Sequence, residues 1–171
     1  MTAPRVVLVG PPGSGKSTVG AVLAERLGTT LRDTDTDIEQ SAGRAIPDIF
    51  VEDGEAHFRT LEAAAVRAAL SGHDGVVSLG GGAVLDDGTR VLLAPLPVVF
   101  LQVALPDAIR RVGLDSARPL LAVNPRQQWR ALMEARLPLY EEVASTVIDT
   151  EGLTPEEVAQ AIVDAMELTA A

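Results

Sequence analysis

Residues 10 to 18 read Gly10-Pro11-Pro12-Gly13-Ser14-Gly15-Lys16-Ser17-Thr18 and fit the pattern G-x-x-x-x-G-K-[ST]. A short apolar run, Val6 to Val9, leads into this stretch, and a segment of helical periodicity, Lys16 to Leu27, leaves it. A strand, a glycine-rich turn and a helix in that order constrain the fold more than anything else in the sequence. The glycines let successive backbone N–H groups turn inward, and the helix directs the positive end of its dipole at the same point. Such a loop cradles nucleotide phosphates. Gly13, Ser14, Gly15 and Thr18 form the cradle, Lys16 is placed to reach the β- and γ-phosphates, and the Ser17 hydroxyl is placed to ligate Mg²⁺. A strand-to-helix turn with no ligand would need neither the lysine nor the hydroxyl. Composition supports the assignment: of 14 basic residues only Lys16 is lysine, which fits a site that wants a compact point charge on a flexible stem.

The rest of the chain alternates short β-branched runs with helical stretches, the pattern of βα units around a parallel sheet. Strands are predicted at Val6 to Val9, Thr30 to Asp33, Val76 to Leu79, Val98 to Val103 and Thr146 to Asp149, all reading as covered on both faces. Helices are predicted at Lys16 to Leu27, Ile38 to Ala42, Glu55 to Leu70, Gly88 to Leu93, Pro106 to Arg111 and Gln127 to Arg136. A last helix is marked by Thr154 as N-cap, Pro155 at the first helical position and Glu157 of a capping box, with Val158, Ile162 and Ala165 as its core stripe. An apolar content of 47% in 171 residues is enough for one core, and no repeat or linker divides the chain. The fold class expected is therefore α/β, a single domain over residues 1–171 with five parallel strands flanked by helices. Its least regular part runs from Val112 to Arg126.

Several residues lie where ligands of open α/β sheets bind, at strand C-terminal ends. Asp33-Thr34-Asp35 follows the second strand; in an extended segment both carboxylates would point the same way, one toward Mg²⁺ and one toward an acceptor hydroxyl. The alternative is an aspartate acting only as a helix N-cap. Gly80-Gly81-Gly82 follows the third strand and offers either a flexible turn or backbone N–H groups at close range to a small ligand. Arg59 and Glu62 share one helical turn, as surface ion pairs also do. His57 and His73 read as surface or structural residues.

Charge narrows the partners. The formal net charge is -10, but residues 110–136 carry six arginines, Arg110, Arg111, Arg118, Arg126, Arg130 and Arg136, against two acids, a local +4 with -14 elsewhere. A cationic island on an acidic chain suits small anions, and arginine suits carboxylates because its fork binds both oxygens. A nucleic-acid face is not expected. The absence of cysteine excludes disulfides, thiolate metal sites and a cysteine nucleophile. No apolar run is long enough for a signal peptide or membrane span, so a cytoplasmic protein is expected, and a monomer.

Taken in order, Gly10 to Thr18, Asp33-Thr34-Asp35, Phe58-Arg59-x-x-Glu62, Gly80-Gly81-Gly82, and Arg118-Pro119-Leu120 with Arg136-x-Pro-x-Tyr140 resemble shikimate kinase over nearly the whole chain. The resemblance implies a nucleoside-monophosphate-kinase-like P-loop fold with a lid near 112–126 and a substrate-binding helical region near 34–62. It implies ATP-dependent phosphorylation of the 3-hydroxyl of shikimate, on the route to chorismate and the aromatic amino acids, with Mg²⁺. By the same resemblance Asp35 binds the ring hydroxyls, Arg59 and Arg136 grip the carboxylate, and the Gly80–Gly82 backbone contacts another hydroxyl. Asp33 acts with Ser17 around Mg²⁺, and Glu62 orients Arg59. Arg118 reaches the transferring phosphoryl group; Arg111 and Pro155 flank adenine; Ile46, Phe50 and Phe58 wall the pocket. Leu153-Thr154 stands where certain relatives place a basic residue before that proline. Three other readings compete with it: a gluconate kinase, a nucleoside-monophosphate kinase, and a P-loop protein that binds nucleotide only to regulate a partner. Turnover separates them.

Overall fold

The computed structural model describes residues 2–104 and 125–170. β1 (Val6–Val9) is buried at every position because it runs through the middle of the sheet, between β3 (Val76–Ser78) and β4 (Val98–Gln102). β2 (Leu31–Asp33) lies outside β3 and β5 (Thr146–Asp149) outside β4, giving the order β2-β3-β1-β4-β5 with every pairing parallel. β2 starts one residue later than expected; β3 and β4 each end one residue earlier. The expectation that all five strands are covered on both faces fails at the edges. Val147 in β5 is 47% exposed, on the outer strand of the sheet beyond β4.

Side-chain alternation along β1 divides the core in two. Val7 and Val9 face a layer formed with Val66 and Leu70 of α4 (Glu55–Gly72), Leu93 of α5 (Asp87–Leu93) and Tyr140 of α6 (Pro125–Val143). Val6 and Leu8 face Leu23 and Leu27 of α1 (Lys16–Leu27) and Val158 and Ile162 of α7 (Pro155–Met166). Ala165 is exposed in the last turn of α7, where Met166 rather than Ala165 packs on the core; the buried stripe of α7 is Val158, Ala159 and Ile162.

α2 (Thr34–Ala42) begins four residues earlier than expected and α3 (Ile46–Asp53) was not expected. These two helices and the first turns of α4 enclose a separate small core of Ile38, Ile49 and Phe58, with Ile46 and Phe50 packed on it. α6 runs through Pro138 to Val143, well past Arg136, and already includes Pro125 and Arg126, which shortens the lid expected over 112–126. The helix expected at Pro106 to Arg111 and the remainder of that lid lie outside the described residues.

Candidate active site

The loop between β1 and α1 has the conformation its glycines allow. Gly13 and Gly15 have φ of 84° and 88°, the left-handed region that disfavours side chains. α1 then starts with neither an acidic residue in its first turn nor a side-chain cap, which leaves its positive end available to an anion. Lys16 is nearly buried, and its ammonium donates to the carbonyls of Gly10 and Pro11 over 2.8 and 3.0 Å, so it hangs across the loop. A cavity of about 350 Å³ opens in front, lined among others by Gly13, Lys16, Ser17, Asp33, Asp35 and Gly81.

Asp33 caps a helix and also reaches the phosphate loop. Its Oδ1 accepts from the backbone N–H groups of Asp35 and Thr36 as the N-cap of α2, while its Oδ2 accepts from the Ser17 hydroxyl over 2.5 Å. Asp35 is therefore not on an extended strand: it sits in the first turn of α2, and the two carboxylates diverge from a helix start. Both still line the cavity. Ser17 and Asp33 offer hard oxygen donors beside the phosphate loop, a set that suits Mg²⁺, an ion commonly bound through one or two protein oxygens plus phosphates and water. Among the described residues no group of three or more His, Cys, Asp or Glu stands together as an all-protein metal cage.

Gly80-Gly81-Gly82 is required by close approach. A Cβ on Gly80 would lie 2.6 Å from Asp35 Oδ1 and 2.9 Å from Glu62 Oε2, and one on Gly81 would lie 2.6 Å from Pro12 Cδ. One on Gly82 would lie 2.6 Å from the Arg59 Cζ. Each glycine thus makes room for a different part of the site.

Arg59 and Glu62 are not a surface pair. Glu62 is 3% exposed, and its Oε1 accepts from Arg59 Nη1 over 2.7 Å. Glu55 holds the other side of the guanidinium at 3.3 Å, and the Phe58 ring lies 5.3 Å beneath its Cζ. Burial pushes the Glu62 carboxyl above its ordinary range, opposed by Arg59 and Arg136 and reinforced by Asp35. Arg136, on α6, is buried rather than part of a solvated face, and it lies beside the Tyr140 hydroxyl, which donates to the Gly81 carbonyl over 2.6 Å. Asp35, Arg59 with Glu62, Gly81 and Arg136 therefore form one cluster drawn from four places in the sequence.

On the other side of the phosphate loop a cavity of about 210 Å³ is lined by Ser14, Gly15, Thr18, Thr150, Leu153 and Pro155. Its apolar wall suits a flat base. Leu153, noted in the sequence as standing where certain relatives have a basic residue, lines this cavity; Thr150 was missed as a site residue, being buried and bonded to the Gln102 carbonyl with nothing in its local sequence to announce that. Arg111 and Arg118 lie outside the described residues. His57 pairs loosely with Asp53 and His73 with the Thr30 carbonyl, and neither lines these cavities.

A parallel sheet of order 2-3-1-4-5, a phosphate loop between its central strand and α1, and a carboxylate facing that loop define a P-loop kinase. The family model described as shikimate kinase matches residues 12–167. A shikimate kinase of Streptomyces coelicolor is 64% identical over 168 residues, covering 98% of each chain. The structure of a shikimate kinase from Acinetobacter baumannii in complex with shikimate superposes with a TM-score of 0.93 at 40% identity, covering 97% of this chain and 94% of that one. The chain belongs to the shikimate kinase family. A gluconokinase from Sinorhizobium meliloti, at 20% identity and a TM-score of 0.61 over 96% of this chain and 91% of that one, shares the fold alone.

Proposed function

We propose that this protein transfers the γ-phosphoryl group of ATP to the 3-hydroxyl of shikimate, giving shikimate 3-phosphate and ADP. The observation that carries the reading is the placement of Asp35 in the same cavity as Lys16 and Ser17, with the cationic cluster of Arg59 and Arg136 across Gly81. A carboxylate that can receive a proton thus stands between a phosphate cradle and a pair of guanidinium groups suited to an organic acid.

Phosphoryl transfer asks a protein mainly for alignment and charge neutralisation, because its transition state is loose. Gly13, Ser14, Gly15 and Thr18 hold the phosphates by backbone and hydroxyl donors, and Pro155 with Leu153 covers the base. Arg59, steadied by Glu62, and Arg136 fix the shikimate carboxylate, which aims the ring hydroxyl at Asp35. The hydroxyl oxygen forms the new bond to phosphorus, its proton passes to Asp35, and the bond to the β-phosphate breaks with its electron pair leaving on ADP. Lys16 meets the charge that accumulates on the transferring group. Ser17 and Asp33 would hold Mg²⁺, which when bound neutralises phosphate charge. Arg118, Arg111 and a closing segment near 112–126 enter by the family resemblance alone. A cytoplasmic monomer is part of the same proposal.

The test is ADP release with ATP and Mg²⁺ across shikimate, quinate, gluconate and nucleoside monophosphates. Turnover with shikimate well above the others is expected; no rate with shikimate overturns the reading.

A further inference from the structure

Tyr140 stands where three parts of this site meet, and no role above uses it. It follows Arg136 by four residues on α6, so both side chains leave the same face of that helix. Its ring is fully buried and stacked on Phe100 of β4, with centroids 5.0 Å apart and planes 29° from parallel. Its hydroxyl donates to the Gly81 carbonyl over 2.6 Å and lies close to the Arg136 guanidinium, near enough for that charge to act on the phenol. A phenol has one proton and two acceptor positions. The proton is committed to the Gly81 carbonyl, which leaves a lone pair for Arg136, a group that can only donate. Burial holds the hydroxyl protonated, its pKa pushed up to about 12, so this arrangement is constant at any physiological pH. An arginine side chain has several rotatable bonds, and the Gly80–Gly82 turn has no side chains to anchor it. Both are tied to one rigid aromatic ring that is itself packed on the central sheet.

We propose that Tyr140 is a positioning residue that holds the Arg136 guanidinium and the Gly81 backbone at a fixed separation, so that an organic acid is selected by the distance between its carboxylate and its ring hydroxyls. The inference rests on the functional reading above. It adds that the spacing is set by a residue that itself contacts neither ATP nor the reacting atoms.

Tyr140→Phe keeps the ring and its stack and removes one oxygen. The KM for shikimate is expected to rise about tenfold, with kcat within about threefold and the KM for ATP unchanged, the size of one lost interaction with a charged group. In an Arg136→Lys background, where the fork is already gone, the same change is expected to move that KM less than about twofold. An unchanged shikimate KM in Tyr140→Phe, or an equal rise in both backgrounds, overturns the proposal. Hydrogen exchange of the unmutated full chain gives a reading that does not depend on a variant folding. Shikimate should slow exchange in residues 80–85 and 136–140 together, and slowing of one segment without the other is incompatible with a shared tie. Absence of any turnover of shikimate by the unmutated protein takes down the functional reading and this inference together. Normal turnover with an unaffected Tyr140→Phe removes only the inference.

Discussion

Gly82 and Glu62 show how differently single residues declare themselves. Gly82 is recognisable as part of a side-chain-free triplet, but the reason for it, an Arg59 guanidinium occupying the place of its Cβ, depends on two segments that meet only in the folded chain. Gly82→Ala is expected to displace Arg59 and raise the KM for shikimate about tenfold or more, leaving the KM for ATP near its original value. Steady-state kinetics with each substrate varied decides it; an unaltered shikimate KM would show that Arg59 yields without consequence. Glu62 has a pH signature. Its folded-state pKa lies above the ordinary value of 4.5, chiefly through burial, so the folded chain binds more protons than the unfolded one in the window above 4.5. Its contribution to stability is therefore full below that value and is lost as pH rises through the folded pKa. In the opposite sense for function, protonation discharges the group that steadies Arg59. The KM for shikimate should then climb on acidification, starting at higher pH than an ordinary carboxylate would give. Glu62→Gln should show a raised KM that is flat in this region, and a variant retaining the acidic limb would assign that limb to another residue. The helical spacing of Arg59 and Glu62 was readable in the sequence, but whether the pair was surface decoration or a buried strut was not, since i, i+3 spacing is the same in both cases.

At the scale of elements, legibility followed local punctuation. α1 falls at its expected bounds because Gly15 and Gly28, both left-handed, mark its two ends. α7 starts as expected because Thr154, Pro155 and Glu157 make a complete capping box, with the Thr154 N–H donating to Glu157 over 3.0 Å and the Glu157 N–H to the Thr154 hydroxyl over 3.1 Å. Thr154→Ala is expected to cost about 1 kcal/mol and to lower Tm by about 2–4 °C, with kcat changed less than about twofold. Calorimetry beside an activity assay checks it, and an unchanged Tm would mean that packing of Val158 and Ile162 alone sets the start of α7. α3 escaped because it has eight residues and its one fully buried side chain, Ile49, finds its buried partners, Ile38 and Phe58, on α2 and α4. α6 outruns its expected end at Arg136 and takes in Pro138. That proline lacks an N–H for the Glu134 carbonyl, yet the helix continues, since Tyr140 and Val143 beyond it are buried on the sheet.

Across the whole molecule, the two cavities on either side of the phosphate loop and the buried arginine cluster belong to one folded body, so occupancy should be felt as global stability. Shikimate at about 100 times its Kd is expected to stabilise the fold by about 2.7 kcal/mol, raising Tm, while gluconate at the same concentration is expected to leave Tm where it was. Equal shifts from the two acids, both carboxylates, would contradict selection by the spacing between the Arg59 and Arg136 pair and the Gly80–Gly82 turn. The sequence by itself determined the alternating α/β architecture, the phosphate loop with Lys16 and Ser17, and the candidacy of Asp33, Asp35, Arg59, Gly80, Gly81, Gly82 and Arg136. Those signals are local, because a glycine turn, a two-residue alternation or a helical spacing is written within a few positions. Only the tertiary structure decided that Asp33 is both N-cap and partner of Ser17, that Glu62 is buried, that Leu153 and Thr150 wall the second cavity, and that Tyr140 joins Arg136 to Gly81. Each of these depends on segments far apart in the chain, and burial and close approach between them exist only once the sheet has brought them together.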